Sequence, residues 1–191
     1  MPTFDKLPLR TDRLLMRPLR PDDLEAIYAI FSDPLVMKYW SSPPWNSTAQ
    51  AEAMIARDVK SMDTGEQLRL GLTLPEGGAL LGVCTLFSFN WDCRRAEIGY
   101  SLASFAWGKG LMHEALTALI NYGFTTLNLN RLEADIDPKN LASANVLERL
   151  GFTQEGFLRE RWIVAGEVSD TALYGLLQRE WPLAVTSTSS H

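Results

Sequence analysis

Gly108-Lys109-Gly110 separates a strand-like run, Arg95 to Leu102, from an apolar, alanine-rich stretch that begins at Leu111. Arg131 to Ile136 then reads as another strand. A helix between two strands is a crossover, and crossovers join parallel neighbours. One parallel pair, residues 95–102 beside 131–136, is therefore expected. The glycines also pose a chemical question. Either they only turn the chain, or they let backbone N–H groups approach an anion at the helix start. First-turn amides there lack intrahelical acceptors, and the helix dipole favours negative charge.

Two familiar phosphate patterns do not fit. A P-loop requires Ser or Thr after its Gly-Lys, and here Gly110 is followed by Leu111. The dinucleotide fingerprint fails at its third glycine, where His113 stands, and it belongs to a parallel sheet. The glycines by themselves leave a plain turn open.

The rest of the chain reads as alternating short elements. Leu14 to Leu19 is a strand, and Pro21-Asp22-Asp23-Leu24-Glu25 starts a helix, with Asp22 as cap and Glu25 three residues on. Leu24, Ile27, Tyr28 and Phe31 form its apolar face. After an aromatic, Pro-rich loop from Lys38 to Trp45, a second helix is expected from Thr48 to about Met62. Strands follow at Gln67–Leu74, Ala79–Phe87 and Arg95–Leu102, turned by Pro75-Glu76-Gly77-Gly78 and Asn90-Trp91-Asp92. Past the helix that begins at Leu111, Asn140 can cap another helix, closed by Gly151. Phe157–Val164 and Asp170–Leu177 make a final hairpin around Ala165-Gly166-Glu167. The sum is one α/β (α+β) domain at 1–182, a mixed, mostly antiparallel sheet of seven strands with about four helices. A Ser/Thr tail at 183–191 is expected to be disordered.

Composition removes several function classes. The net charge of −5, with no basic block, argues against nucleic acid as a partner. No apolar run approaches the roughly 18 residues a bilayer span needs, so no membrane partner is expected. His113, His191, Cys84 and Cys93 have no zinc spacing, and no metal is expected. Both cysteines read as reduced thiols in a cytoplasmic protein, neither with a histidine beside it to make it a nucleophile.

Five pieces in order carry a resemblance that covers the chain from about Leu9 to Trp181. They are Ala96-Glu97-Ile98-Gly99-Tyr100; Trp107-Gly108-Lys109-Gly110-Leu111-Met112 with Glu114-Ala115; Asn140 with Ser143; Glu148-Arg149-Leu150-Gly151-Phe152; and Glu155-Gly156 with Arg159, Asp170, Leu173 and Tyr174. Together they resemble the GNAT superfamily of N-acetyltransferases, in the branch typified by the ribosomal-protein N-terminal acetyltransferases. The resemblance implies acetyl-CoA as cofactor, its pyrophosphate held by the amides of Gly108, Lys109, Gly110, Leu111 and Met112 beside Trp107. It further implies Asn140 on the pantetheine arm and backbone groups of Tyr100, Ser101 and Leu102 near the thioester. One departure stands out: Phe105 occupies the place, three residues before the first glycine, where the family usually has Gln or Arg.

Acetyl transfer to an amine needs a base for the amine proton and an acid for the departing thiolate. By resemblance Glu97 is the candidate base, its alternative being a structural carboxylate. Many family members place an acidic tyrosine seven residues after the asparagine, where this chain has Leu147. Ser143 is then the candidate acid, as well as a cofactor contact, against a reading as a helix-start hydrogen bonder. Trp40, Trp45, Phe87, Trp91 and Trp162 are candidates for the acceptor site, though core packing explains each equally well. The expected reaction is direct transfer in a ternary complex to a primary amine, a protein or peptide N-terminus by branch resemblance. A polyamine, amino sugar or amino acid is the alternative acceptor, and a non-catalytic acyl-CoA-binding module is the alternative role. A homodimer stays open.

Overall fold

The computed structural model describes residues 4–182, so the expectation for the tail at 183–191 lies outside the described residues. Pro8 and the polar run Thr11-Asp12-Arg13 leave room for a two-residue strand, β1 (Leu9–Arg10), before β2 (Leu15–Pro18). Among the described residues β1 is the strand that makes eight where seven are expected. Two residues are too few to show an alternation. After a short 3-10 turn come α1 (Leu24–Ser32), α2 (Pro34–Met37) and α3 (Thr48–Thr64). α2 is a single turn started by Pro34 and by Asp33, whose Oδ1 accepts from the Leu35 amide at 2.9 Å. It raises the helices among the described residues to five. β3 (Leu68–Leu74), β4 (Gly77–Asn90) and β5 (Arg95–Leu102) follow, then α4 (Leu111–Thr125), β6 (Arg131–Ile136), α5 (Leu141–Arg149), β7 (Thr153–Val164) and β8 (Glu167–Leu177).

The sheet order is β1-β2-β3-β4-β5-β6-β8-β7, and among the described residues the β5–β6 pair alone is parallel, as the crossover through α4 requires. The alternating side chains of the strands feed two cores. On one face Leu70, Cys84, Ala96 and Ile98 meet Leu116, Leu119 and Ile120 of α4 and Leu147 of α5. On the other, Val83 and Leu80 meet Ile27, Phe31, Met54 and Ile55 of the first three helices. Leu116, Leu119 and Ile120 are fully buried, and such side chains each contribute about 1.5–3 kcal/mol.

The entry to α1 differs from expectation. Asp22 is exposed, and the neighbouring, buried Asp23 instead closes a capping box on the 3-10 turn that leads into α1, bonding back to that turn's N-cap, Arg20. Its Oδ2 accepts from the Arg20 amide at 2.7 Å, and Arg17 clamps both carboxylate oxygens at 2.7 and 2.8 Å. Burial by itself pushes the Asp23 pKa up, but the bonds from Arg17 and Arg20 and their charges outweigh it and hold it low. A lowered pKa means stability present at neutral pH and lost as pH falls through the folded value. Asp23→Ala is expected to destabilise by about 2 kcal/mol, the upper end for a lost cap, measured by urea unfolding at pH 7. The same substitution should matter little in acid, where the wild-type carboxyl is itself protonated.

What positions a site is the way β5 and β6 part. Their ladder holds Arg95↔Arg131, Ala96↔Leu132 and Glu97↔Glu133, and then stops. The closed end is clamped by charge: Glu133 accepts from Arg95 at 2.6 Å and Arg131 at 2.8 Å, and Arg131 also pairs with Glu155. Beyond it β6 stays with β8 out to Ile136↔Ala172, while β5 stays with β4 out to Leu102↔Gly82. The backbone of Ile98 to Leu102 thus faces a V-shaped opening instead of a strand.

Candidate active site

The opening leads to the glycine turn. Gly108 and Gly110 have φ of +74° and +72°, the left-handed region that side chains disfavour. A Cβ on Gly108 would project into open space, and one on Gly110 would sit 3.6 Å from Arg13 Nη2. Gly110 is the N-cap of α4, whose first bond runs from the Glu114 amide to Gly110 O at 3.2 Å. The amides before Glu114 in that turn have no partner within the helix. Trp107 folds back on β5, its Nε1 donating to Leu102 O at 2.7 Å. Phe105, beside them, is 65% exposed.

Arg13 secures this turn from the far end of the chain. Its Nη1 donates to Lys109 O at 2.9 Å and its Nε to Glu114 Oε2 at 2.6 Å. Glu114 also accepts from the Arg13 amide at 2.9 Å and from Thr11 Oγ1 at 2.5 Å. Burial raises the Glu114 pKa, yet these bonds outweigh it and keep the carboxylate ionised. Sequence reading missed Arg13, because nothing local ties it to a turn about a hundred residues later. Arg13, ion-paired with Glu114, thus braces the turn, and the exposed Lys109 lies within it.

At the other end of the opening lies a cleft of about 570 Å³. It brings together seven expected site residues: Trp40, Phe87, Glu97, Tyr100, Asn140, Ser143 and Trp162. Two others are elsewhere. Trp45 stacks on Phe31 at 4.8 Å in the second core, and Trp91 stacks flat on Phe89 at 4.4 Å by the β4–β5 turn. Stacking has satisfied both rings, so neither lines the cleft. Ser101 and Leu102 lie outside the lining as well, and Ser101 Oγ is buried with no hydrogen-bond partner among the described residues.

The two sides of β5 carry different chemistry. Glu97 projects with Phe87, its register partner, and is half-buried; among the described residues no hydrogen bond or ion pair engages its carboxylate. Gly99 makes room for the Phe87 ring, whose nearest carbon would be 3.2 Å from a Cβ there. Tyr100 projects the other way, toward α5. Its Oη lies 2.6 Å from Ser143 Oγ, and either atom can donate. Burial pushes the Tyr100 pKa up to about 12, so the phenol keeps its proton at neutral pH. Asn140 caps α5 as expected, its Oδ1 accepting from the Ser143 amide at 3.1 Å. The Ser143 backbone is thereby fixed and its hydroxyl is held on Tyr100. That hydroxyl partnership was not legible in the sequence, since 43 residues separate the two.

The cleft has further walls, and of their residues sequence reading assigned only Trp162. Residues 159–161 of β7 bulge between the pairs Leu158↔Thr171 and Trp162↔Ser169, with Glu160 at φ +53° and its amide bonded to Asp170 Oδ1 at 2.8 Å. A bulge re-aims side chains. Here it brings Arg161 and Trp162 to the cleft, Trp162 Nε1 donating to Thr171 Oγ1 at 3.0 Å and Thr171 in turn to Asp135 at 3.0 Å. On the opposite wall stand Gln67, Arg69 and Thr85. Cys84 is buried, and burial drives its thiol pKa far upward, which removes it as a nucleophile.

Comparison with known proteins agrees with this geometry. The acetyltransferase (GNAT) domain family matches residues 13–153. The chain is 37% identical over 173 residues to the uncharacterized N-acetyltransferase p20 of Bacillus licheniformis, covering 91% of this chain and 97% of that protein. Spermidine N-acetyltransferase from Vibrio cholerae, solved in complex with CoA and spermine, superposes with a TM-score of 0.79 at 25% identity, over 89% of this chain and 98% of that one. Mycobacterium smegmatis RimJ, solved in complex with CoA-disulfide, gives 0.80 at 25% identity, over 88% and 84%. With a strand pair that splays beside a glycine-capped helix start, and with these relatives along nearly its whole length, the chain belongs to the GNAT family of N-acetyltransferases.

Proposed function

We propose that this enzyme, with residues 1–182 as its catalytic domain, transfers the acetyl group of acetyl-CoA to a primary amine by direct attack in a ternary complex. The acceptor class proposed is a protein or peptide N-terminus. The observation that carries the reading is the placing of Glu97 and the Tyr100–Ser143 pair on opposite faces of one strand, beside an opening that ends at an anion cradle.

The residues fit a CoA ligand. The amides from Gly108 to Met112, with Arg13 and Lys109 beside them, suit a pyrophosphate, since a Cβ-free turn at a helix start accepts an anion closely. The unpaired edge of β5 from Ile98 to Leu102 and the Asn140 side chain suit the amide groups of a pantetheine arm. When bound, acetyl-CoA supplies the activated acetyl thioester. Glu97, free of other partners among the described residues, accepts the proton of the acceptor amine, directly or through water. Ser143 donates toward the departing sulfur, and Tyr100, still protonated, orients the Ser143 hydroxyl and can replenish its proton.

The peptide reading draws on a second groove of about 320 Å³ that continues the cleft. It shares Tyr39, Trp40, Asp137 and Ser169 with the cleft and runs between the Pro-rich loop and the β7–β8 turn, leaving room for chain beyond the amine. A polyamine is the second reading, favoured by the carboxylates of Glu97, Asp135 and Asp137 in the lining and by the spermine bound to the Vibrio cholerae relative. Free-thiol release from acetyl-CoA with short peptides, spermidine and amino sugars tests both. Turnover of spermidine alone would overturn the peptide reading.

Ser143→Ala is expected to lower the single-turnover rate about a hundredfold or more with acetyl-CoA affinity nearly unchanged, because the interaction is made in the transition state, whereas a merely orienting hydroxyl gives a smaller loss. Tyr100→Phe should cost less alone, and little more when added to Ser143→Ala, since the two hydroxyls act as a unit. Full additivity of the two losses would separate Tyr100 from the proton path.

A further inference from the structure

Arg69 stands on the cleft wall with a use the chemistry above does not absorb. The registers Arg69↔Thr85 and Thr85↔Gly99 place it in one row across β3, β4 and β5, two strands from Gly99 and on the side away from the opening toward β6. At about 4.8 Å per strand it stands two strands back from that opening, on the cleft wall that shares the Glu97 face of the sheet, where the acceptor is placed above.

A guanidinium has five N–H donors. Arg69 Nη1 donates to both oxygens of Asp58 at 2.8 Å, and Nε donates to Thr85 Oγ1 at 3.1 Å. Both Asp58 and the Arg69 side chain are nearly enclosed, at 3% and 13% exposure. Gln67 Nε2 holds Asp58 Oδ1 from the other side at 2.7 Å. Among the described residues nothing accepts from Nη2. The fork is therefore braced on two edges, and Arg69 lines the cleft with Nη2 unengaged among the described residues. Burial is the largest influence on both partners, lowering the Arg69 pKa and raising that of Asp58 against their mutual attraction. An arginine in this position stays charged and gains from a further acceptor atom.

We propose that Arg69 Nη2 binds the oxygen that an α-amino acceptor carries beside its amine, a carbonyl in a peptide or a carboxylate in a free amino acid. Arg69 is then a specificity residue, placing the amine toward Glu97 and disfavouring acceptors whose only polar groups are cationic amines. The inference rests on the acceptor side assigned above.

The test compares alaninamide, alanylalanine, alanine and sec-butylamine, each as kcat/KM per unprotonated amine. The wild type should prefer the best carbonyl-bearing amine over sec-butylamine about ten- to a hundredfold, the range for one hydrogen bond to a charged group. Preference for alanylalanine or alaninamide marks the carbonyl as the ligand, and preference for alanine marks the carboxylate. Arg69→Met alone leaves Asp58 buried and unpaired and can fail to fold, so the decisive variant is Asp58→Leu/Arg69→Met, since replacing both partners by apolar residues is often neutral for stability. In that variant the preference should collapse toward unity while calorimetry shows acetyl-CoA still bound. Equal wild-type rates for all four amines, or a preference that survives in the double variant, would overturn the role of Arg69. If acetyl-CoA binds but no amine is acetylated, the enzymatic reading itself fails and this inference falls with it.

Discussion

Gly110→Val is expected to weaken acetyl-CoA binding a hundredfold or more. Gly110 sits at φ +72°, where a β-branched side chain costs on the order of 1–3 kcal/mol of backbone strain. The chain relieves that strain by leaving the left-handed region, which re-aims the amides that follow. Hydrogen bonds to a charged group are worth about 1.5–3 kcal/mol each, so misplacing two of them accounts for the loss. Steric filling does not, because the new Cβ would be 3.6 Å from Arg13 Nη2. Gly166 supplies the control. It lies in the β7–β8 turn at φ +87° with open space where a Cβ would go, so Gly166→Val carries a similar strain far from the cradle. That variant should lose melting temperature and keep its affinity. Unchanged acetyl-CoA affinity for Gly110→Val in calorimetry would remove this turn from the cofactor site.

The contrast between legible and hidden parts of this molecule follows the range of the signals. β5 and β6 have the bounds expected of them, because alternation and turn residues are local. Asn140 was legible as a cap for the same reason: an Asx side chain reaches only its own helix start. Asp22 and Asp23 show the limit of such signals. Both are acidic and adjacent, and Arg17 on β2 decides between them. Longer-range features had no local trace. The opening between β5 and β6 depends on where a ladder stops, which no residue pattern in either strand announces. Arg13 with Glu114, Arg69 with Asp58 and Tyr100 with Ser143 are each made by the fold. The tryptophans divide similarly. Trp162 reaches the cleft through a bulge in β7, whereas Trp91 found Phe89 two residues away and packed there. One hint was available: Gln67 and Arg69 alternate with buried Leu68 and Leu70, so the polar face of β3 was marked although the rest of the chain pointed that face at a core.

Glu97→Gln is expected to lower the rate of acetyl transfer near neutral pH by about 10²–10⁴-fold, the span typical of general acid–base groups. Glutamine keeps the shape of the side chain and can hydrogen-bond, but it cannot hold a proton taken from the amine. The deficit should therefore shrink as pH rises, because the acceptor amine then arrives already neutral. The alkaline end of that measurement has a limit set by Tyr100. Its pKa is raised to about 12 by burial, so folding favours the neutral phenol. A raised pKa gives stability that is complete below the ordinary tyrosine value near 10 and lost as pH climbs through the folded value. Rates are therefore best compared between roughly pH 7 and 9.5, below the point where that loss begins. Because no partner among the described residues engages the Glu97 carboxylate, the substitution should leave the melting temperature within about 1 °C, as for most substitutions that break no buried contact. A structural carboxylate predicts the reverse, a lowered melting temperature with the pH–rate curve of the wild type. Both readouts from one preparation decide between them, and a wild-type pH profile in Glu97→Gln would take this residue out of the chemistry.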